Sequence, residues 1–187
     1  MKEQTPFVCR TFSKAQKHGI NIHAFGSESA IVMRMSGKTI IFYNETKPTE
    51  HISYSILHEM GHPIIQHDFN TTDPETYGRY EVETNYFAAQ LLMPAQILRE
   101  FQRRGMSITP QFLQQNFGVS GDAAQRRIHT LSVTNEEWRS KSEREYDDII
   151  LMKYDAFINK VCPRPFNPLY SFDDELDRQR VRDSWYA

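Results

Sequence analysis

The sequence predicts an α+β protein, in which a small antiparallel β-sheet packs on a helical core and a helical C-terminal part follows. Two patterns support this fold class. Short apolar runs at residues 30–33 and 39–43 flank a turn that contains Gly37, which is typical of a β-hairpin. From Thr49 onward, apolar residues recur three and four positions apart, which is typical of amphipathic helices.

The composition excludes several classes of protein. The chain has 187 residues, 39% hydrophobic and 25% charged, which fits an ordinary globular body. Its net charge of −2 gives no field that would attract nucleic acid, and no apolar run approaches the roughly 20 residues that span a bilayer. Cys9 and Cys162 form no Cys-x-x-Cys pair, and the N-terminus lacks the apolar core of a signal peptide. We therefore expect a cytoplasmic protein without membrane or nucleic-acid partners.

The N-terminal part is expected to supply the sheet. Residues 10–18 predict a short helix that ends at Gly19. Residues 20–24 alternate between apolar and polar, which indicates a strand, and the hairpin follows and ends near Tyr43.

A helix is predicted to begin near Thr49. Its buried face is formed by residues at helical spacing, namely Ile52, Ile56, Leu57 and Met60. Pro63 lies in the same stretch and cannot donate the hydrogen bond to the carbonyl four residues before it. We therefore expect a bend or an early end of the helix at this point.

This helix carries the sequence His-Glu-Met-Gly-His, from His58 to His62. Residues four apart lie on one face of a helix, so both imidazoles can face one metal ion. Glu59 lies beside them, where its carboxylate can reach a water molecule without being a ligand. This arrangement is typical of a metalloprotease in which the glutamate acts as general base.

A second helix, predicted over residues 79–93 and closed by Pro94, offers a third ligand. A catalytic zinc site has three protein ligands and one open position, and we assign Glu81 as the third ligand. Glu83 points roughly 200° away around the helix and is the second choice. Asn85 shares a face with Glu81 and is expected to hydrogen-bond a ligand.

The rest of the chain is predicted to be mainly helical, with helices at residues 94–104, 110–117 and 122–131. Ser120 is interpreted as an N-cap, and Thr134 with Glu137 has the spacing of a capping box that opens a charged helix. From Cys162, prolines and aromatic residues indicate an extended segment packed on the body, followed by a short helix at residues 173–183.

Two blocks of sequence resemble the ImmA/IrrE family of metallopeptidases. The first is His-Glu-Met-Gly-His at residues 58–62, and the second is Glu-x-x-x-Asn-x-Phe-Ala-Ala-x-Leu-Leu-Met-Pro at residues 81–94. A weaker block at residues 117–128 ends in Arg127-Ile128, where the family has Arg-Leu. The resemblance covers roughly residues 20–131. The chain departs from it at Pro63, where the family continues an apolar helix.

The resemblance implies a zincin-like metallopeptidase domain at residues 1–131, with residues 132–187 as a helical extension packed on the same body. It implies zinc, or alternatively manganese, held by His58, His62 and Glu81, with Glu59 as the base. It also implies a cytoplasmic endopeptidase that cleaves a specific protein, typically a helix-turn-helix repressor of a prophage, mobile element or stress regulon. Because no helix-turn-helix precedes the first block, as it does in some members, we expect a stand-alone peptidase.

Two other functions fit parts of the same sequence. A catalytically inactive family member could bind and sequester a repressor or an antitoxin-like partner. A DNA-binding regulator acting through residues 117–131 is less favoured, because no dense stripe of lysine and arginine accompanies that segment.

One role stays open at this point. The oxyanion that forms during peptide hydrolysis needs a stabilising group besides the metal. By residue type, the candidates are Tyr77, Tyr80, His67 and Arg127. If it does not stabilise the oxyanion, Arg127 is interpreted as a charged side chain exposed to solvent.

Overall fold

The computed structural model describes residues 7–21, 29–134, 140–163 and 179–184. Its sheet contains β1 (Phe7–Thr11), β2 (Ala30–Met35) and β3 (Lys38–Tyr43), in the order β1-β3-β2. The hairpin prediction is confirmed, since β2 and β3 pair antiparallel, with Ala30 opposite Tyr43. The α+β class is also confirmed. The sheet is mixed rather than purely antiparallel, because β1 pairs parallel to β3, with Phe7 opposite Thr39.

The predicted helix at residues 10–18 is wrong in its first two positions. Strand β1 continues to Thr11, and helix α1 spans Phe12–Lys17. The Thr11 side chain accepts a hydrogen bond from the Lys14 backbone N–H, which fixes the start of the helix. Neither residue 20 nor residue 21 is part of a strand, and residues 22–28 of that prediction lie outside the described part of the chain.

The two faces of the sheet pack against different helices. Phe42 forms a small core with Phe12 and Ala15 of α1. Ile41, the residue before Phe42 in β3, points to the opposite face and is fully buried. On that face the sheet is packed by α2, which spans Thr49–Ile65 and contacts β2 and β3. The sheet therefore supports the helix that carries the His-Glu-Met-Gly-His sequence.

Both helices of the site differ from the prediction at one end. Helix α2 continues through Pro63 and ends two residues later, where Gln66 adopts a left-handed conformation with φ of 67°. Helix α3 spans Pro74–Leu92 and so begins five residues before the predicted start. Asp73 caps it through the Thr76 backbone N–H, and Pro74 occupies the first turn, where its missing N–H costs nothing.

Helices α2 and α3 approach each other most closely at Gly61. A β-carbon built at this position would lie 3.0 Å from Thr84 Cγ2 and 3.2 Å from Phe87 Cδ1. Thr84 is itself fully buried. The glycine therefore sets the distance between the two helices, and with it the position of Glu81, one turn before Thr84.

Replacing Gly61 with valine should push α3 away from α2. We expect overpacking to lower the free energy of unfolding by about 1–3 kcal/mol and metal affinity to fall, although no ligand changes. Thermal unfolding and zinc titration measure the two effects. The matched control is Gly78→Ala in α3, where nothing lies within 4 Å of the added carbon. That change should stabilise the helix by about 0.5–1 kcal/mol; equal behaviour of the two variants would contradict this account of Gly61.

The C-terminal helices build the main hydrophobic core. They are α4 (Ala95–Arg103), α5 (Pro110–Phe117), α6 (Gly121–Val133), α7 (Lys141–Lys153) and α8 (Asp155–Val161). Phe101 and Leu113 are fully buried in this core, together with Ile158 of α8. None of the helices in the described ranges has the length and apolarity that crossing a bilayer requires.

Of the two helix starts predicted among the C-terminal helices, one is confirmed and the other is wrong. Ser120 caps α6 as expected, through the Ala123 backbone N–H. Thr134 is wrong as a helix start, because it is the C-cap of α6. The capping box lies at Ser140 and Glu143 and opens α7. Residues 135–139 and the aromatic tail at residues 164–178 lie outside the described part, whereas residues 179–184 are helical.

Arg127 is a core residue, which corrects its interpretation as a solvated charge. Only 1% of it is exposed. Its Nε donates to the Met93 carbonyl at 2.9 Å, and a second guanidinium nitrogen donates to the Gln90 side chain. These bonds satisfy the buried charge and join α6 to the C-terminal end of α3.

Candidate metal centre

Three side chains from two helices meet at the interface of α2 and α3. Glu81 Oε2 lies 3.3 Å from His58 Nε2, and Glu81 Oε1 lies 3.6 Å from His62 Nε2. The side chains of His58 and His62 are 14% and 12% exposed, and that of Glu81 is 33% exposed. Among the described residues, these three form the group whose donor atoms all lie within 4.8 Å of one another.

The spacing of these atoms fits a divalent metal. Zinc binds histidine nitrogen and carboxylate oxygen at about 2.0–2.2 Å, so neighbouring donors of a tetrahedral site lie roughly 3.3–3.6 Å apart. The nitrogen–oxygen distances, 3.3 Å to one Glu81 oxygen and 3.6 Å to the other, lie in that range. Two histidines and one glutamate are also a donor set of catalytic zinc sites, which leave the fourth position open. The assignment of these residues as ligands stays a prediction.

The surroundings of His62 favour the neutral form of its imidazole, which is the form that can bind a metal ion. Burial, followed by the neighbouring His58, lowers the pKa of His62 from 6.5 to about 4. The imidazole is therefore neutral near pH 7 and has a lone pair to give to a metal ion.

His58 is oriented by Asn85, as the sequence predicted for that residue. His58 Nδ1 lies 3.2 Å from Asn85 Oδ1, which also accepts a hydrogen bond from the Tyr54 hydroxyl at 3.1 Å. The Asn85 amide nitrogen donates to the Glu81 carbonyl at 2.7 Å and thereby fixes which way the side chain points. With Nδ1 engaged, Nε2 of His58 is the nitrogen that faces Glu81.

His62 has a different partner, which the sequence did not reveal. His62 Nδ1 lies 3.0 Å from Nδ1 of His67, and His67 Nε2 lies 2.8 Å from Glu83 Oε2. Glu83, the second choice as a ligand, thus contacts His67 rather than the group formed by His58, His62 and Glu81.

Glu59 lies between α2 and the sheet. Its Oε2 accepts a hydrogen bond from the backbone N–H of Val32 in β2 at 2.9 Å. The pKa of Glu59 is raised to about 7, mainly by burial and to a smaller extent by the negative charge of Glu81, while the Val32 hydrogen bond opposes the shift. A carboxyl group with a pKa near 7 is suited to exchange protons at neutral pH.

The raised pKa of Glu59 predicts that the metal-free protein loses folding stability as the pH rises. Between pH 4.5, the group's ordinary value, and about 7, the unfolded chain ionises this group while the folded chain keeps it protonated. Stability therefore falls as pH rises through this range, by at most about 3 kcal/mol. Glutamine does not titrate, so Glu59→Gln should exceed wild type in stability by a margin that grows up to about pH 7.

Denaturant unfolding of both proteins in the presence of a chelator, at pH 5 and pH 8, measures this margin. His62, whose pKa shift acts in the opposite direction at acidic pH, is present in both proteins and cancels in the comparison. A margin of the same size at both pH values would contradict the raised pKa of Glu59.

The four candidates for oxyanion stabilisation separate clearly. Tyr80 stacks on the His67 ring, with centroids 4.0 Å apart, so both are engaged in packing. Arg127 is bonded to Met93, twelve residues along α3 from Glu81 and so roughly 18 Å away along the helix axis. Tyr77 is 56% exposed, and its pKa is raised by burial and then by the charge of Glu81. Tyr77 is therefore the candidate whose hydroxyl interacts with Glu81.

The family comparison agrees with the resemblance seen in the sequence. The model of a peptidase family, M78, described as the IrrE N-terminal-like domain, matches residues 15–129. No curated protein and no solved structure matches the chain significantly. The matched segment contains α2 and α3 in full, and it covers more than half of the 187 residues. The chain thus belongs to the M78 family of metallopeptidases, which has the IrrE N-terminal-like domain.

Proposed function

We propose that this protein is a zinc-dependent endopeptidase that cleaves a specific intracellular protein. The observation that carries the proposal is the convergence of His58, His62 and Glu81, with donor atoms at the spacing of zinc ligands and Glu59 on the adjacent position of α2. Zinc suits two imidazoles and a carboxylate, and manganese is the alternative for the same donors.

A zinc ion held by His58, His62 and Glu81 would supply Lewis-acid chemistry, by polarising the scissile carbonyl and lowering the pKa of water towards about 7. The protein supplies the proton transfer. Glu59 accepts a proton from the attacking water and delivers it to the amine that leaves. Its pKa of about 7 suits both steps, although the positive charge of a metal acts in the opposite direction. The Tyr77 hydroxyl is proposed to donate a hydrogen bond to the developing oxyanion, and Tyr77→Phe tests this role in the same assay.

The position of β2 supports a peptide substrate. In the described sheet, β2 is the outer strand beside β3, and the Val32 N–H that points away from β3 already donates to Glu59. Backbone groups on the edge of a strand can pair with an extended peptide, which would place its carbonyls next to the base. We therefore expect the substrate to bind as an extended segment along β2.

The family resemblance supports a helix-turn-helix transcriptional repressor as the substrate. A cytoplasmic location follows from that substrate and agrees with Cys9 and Cys162, which are free thiols. The division into a peptidase domain at residues 1–131 and an extension at residues 132–187 is part of the same proposal.

The test is to incubate the purified protein, loaded with zinc, with the repressor encoded beside it and to measure intact masses. We expect two fragments whose masses sum to that of the repressor plus one water. The Glu59→Gln protein is the control and should leave the repressor whole. An uncleaved, stable complex with wild type would contradict proteolysis and support sequestration instead. If the mixture yields no fragments and no complex, the choice of substrate is contradicted.

A further inference from the structure

We propose that His67 and Glu83 form a positioning pair that holds His62 in the tautomer and ring orientation required for metal binding. This inference rests on the proposed function, because it concerns the metal site of the proposed peptidase. It replaces the roles for which the sequence made these residues candidates, oxyanion stabilisation for His67 and metal ligation for Glu83.

His62, His67 and Glu83 are linked by two hydrogen bonds, whose direction follows from the carboxylate of Glu83. A carboxylate only accepts, so the 2.8 Å contact to Glu83 Oε2 requires that Nε2 of His67 carries the hydrogen. In the neutral ring, Nδ1 of His67 is then an acceptor. The 3.0 Å contact between the two Nδ1 atoms therefore requires His62 to be the donor. His62 Nε2, the nitrogen that faces Glu81, is left with its lone pair.

Backbone geometry brings His67 to this position. Helix α2 ends at Ile65, and the left-handed conformation of Gln66 turns the chain back towards the helix. The His67 backbone N–H donates to the His62 carbonyl at 3.0 Å. The same two residues are thus joined by a backbone bond and by a side-chain bond, which restricts the position of one ring relative to the other.

Packing fixes the His67 ring. Its side chain is 4% exposed, and it stacks on Tyr80 with an angle of 6° between the planes. Glu83 is more exposed, at 41%, and its other carboxylate oxygen lies 3.8 Å from Arg79 Nε. A buried ring held between a carboxylate and the proposed ligand cannot rotate without breaking both hydrogen bonds.

Helix α3 therefore serves the site in three ways. It contributes Glu81 to the donor group, Asn85 to orient His58, and Glu83 to orient His62 through His67. Groups that orient a metal-binding histidine typically contribute 10- to 100-fold to metal affinity or activity. We expect His67 to contribute within this range, with a smaller effect from Glu83, which acts one step further from His62.

The experiment separates hydrogen bonding from packing at residue 67. His67→Phe keeps an aromatic ring that can stack on Tyr80 but has no acceptor for His62. His67→Gln loses the ring but keeps an amide oxygen that can accept. Zinc affinity is measured by competition with a chromogenic chelator, and the absorption spectrum of the cobalt-substituted protein reports on ligand geometry. Thermal unfolding of each metal-free protein checks the fold.

We expect zinc affinity to fall by about 10- to 100-fold in His67→Phe and by less in His67→Gln, with an altered cobalt spectrum in the phenylalanine variant. Glu83→Ala, a change at a half-exposed position, should lose about 10-fold, and Glu83→Gln less. Glu75→Ala, an exposed glutamate in the first turn of the same helix, is the matched control and should bind as wild type does.

Three results would overturn the proposal, and they are distinguishable. If wild type binds zinc, His62→Ala does not, and both His67→Phe and Glu83→Ala bind as wild type does, then the positioning pair is wrong while the metal site stands. If His67→Phe binds zinc as tightly as His67→Gln or more tightly, residue 67 acts through packing alone. That result would also refute the proposal. If wild type itself binds no zinc, the positioning pair and the proposed function fail together.

Discussion

Replacing Glu59 with glutamine is expected to lower the rate of peptide hydrolysis by about 10²- to 10⁴-fold while zinc stays bound. Glutamine has the same shape, and its amide oxygen can still accept the Val32 backbone hydrogen bond that positions residue 59. It cannot accept a proton from water. Cleavage rates and the zinc content per protein chain, measured on the same samples, test both halves of this expectation.

Glu50→Gln provides a matched control, since Glu50 is an exposed glutamate in the first turn of the same helix. We expect this variant to cleave and bind zinc as wild type does. Cleavage at the wild-type rate by the Glu59→Gln protein would remove Glu59 as the general base. Loss of zinc from that protein would instead assign Glu59 to the metal itself.

The second large effect is expected for His62→Ala, which should abolish both zinc binding and cleavage. Only His58 and Glu81 of the predicted donor group remain in this variant. We expect zinc affinity to fall by more than about 100-fold, beyond what loss of an orienting group costs. Zinc content after dialysis against a weak chelator, followed by the cleavage assay, gives the measurement.

His129→Ala is the control for the loss of an imidazole. His129 lies on the exposed side of α6, and we expect no change in zinc content or rate. Full zinc occupancy in the His62→Ala protein would contradict the proposed donor group, whatever the effect on cleavage.

The parts of the site that follow helical periodicity could be predicted from the sequence. His58 and His62 share a face because they are four residues apart, and Asn85 shares one with Glu81 for the same reason. The hairpin was also predictable, since Gly37 lies in a tight turn with φ of 72° between two apolar runs. In these cases, local spacing alone decides the geometry.

Contacts that depend on tertiary structure could not be predicted in this way. Residues 7–11 become a strand because they pair with β3, which lies about thirty residues further along the chain. Arg127 is buried because the end of α3 offers it a carbonyl and an amide oxygen. His67 reaches His62 through a left-handed turn at Gln66, a residue type that does not signal such a turn.

Gly61 is a further signal of tertiary structure that the sequence contains. A glycine within a helix costs about 1 kcal/mol relative to alanine, so its presence between Met60 and His62 signals a close approach by another element. In the structure that element is α3, at Thr84 and Phe87. Gly61 and Glu81, the proposed ligand, are thus parts of one arrangement of α2 and α3.

The central claim is that one metal ion is held by His58 and His62 of α2 and by Glu81 of α3. Anomalous diffraction above and below the zinc absorption edge, from crystals of the Glu59→Gln protein grown with zinc, tests this claim most directly. We predict one strong anomalous peak at bonding distance from Nε2 of both histidines and from a Glu81 carboxylate oxygen. A Glu81 side chain turned away from the two imidazoles, with no peak between them, would contradict it.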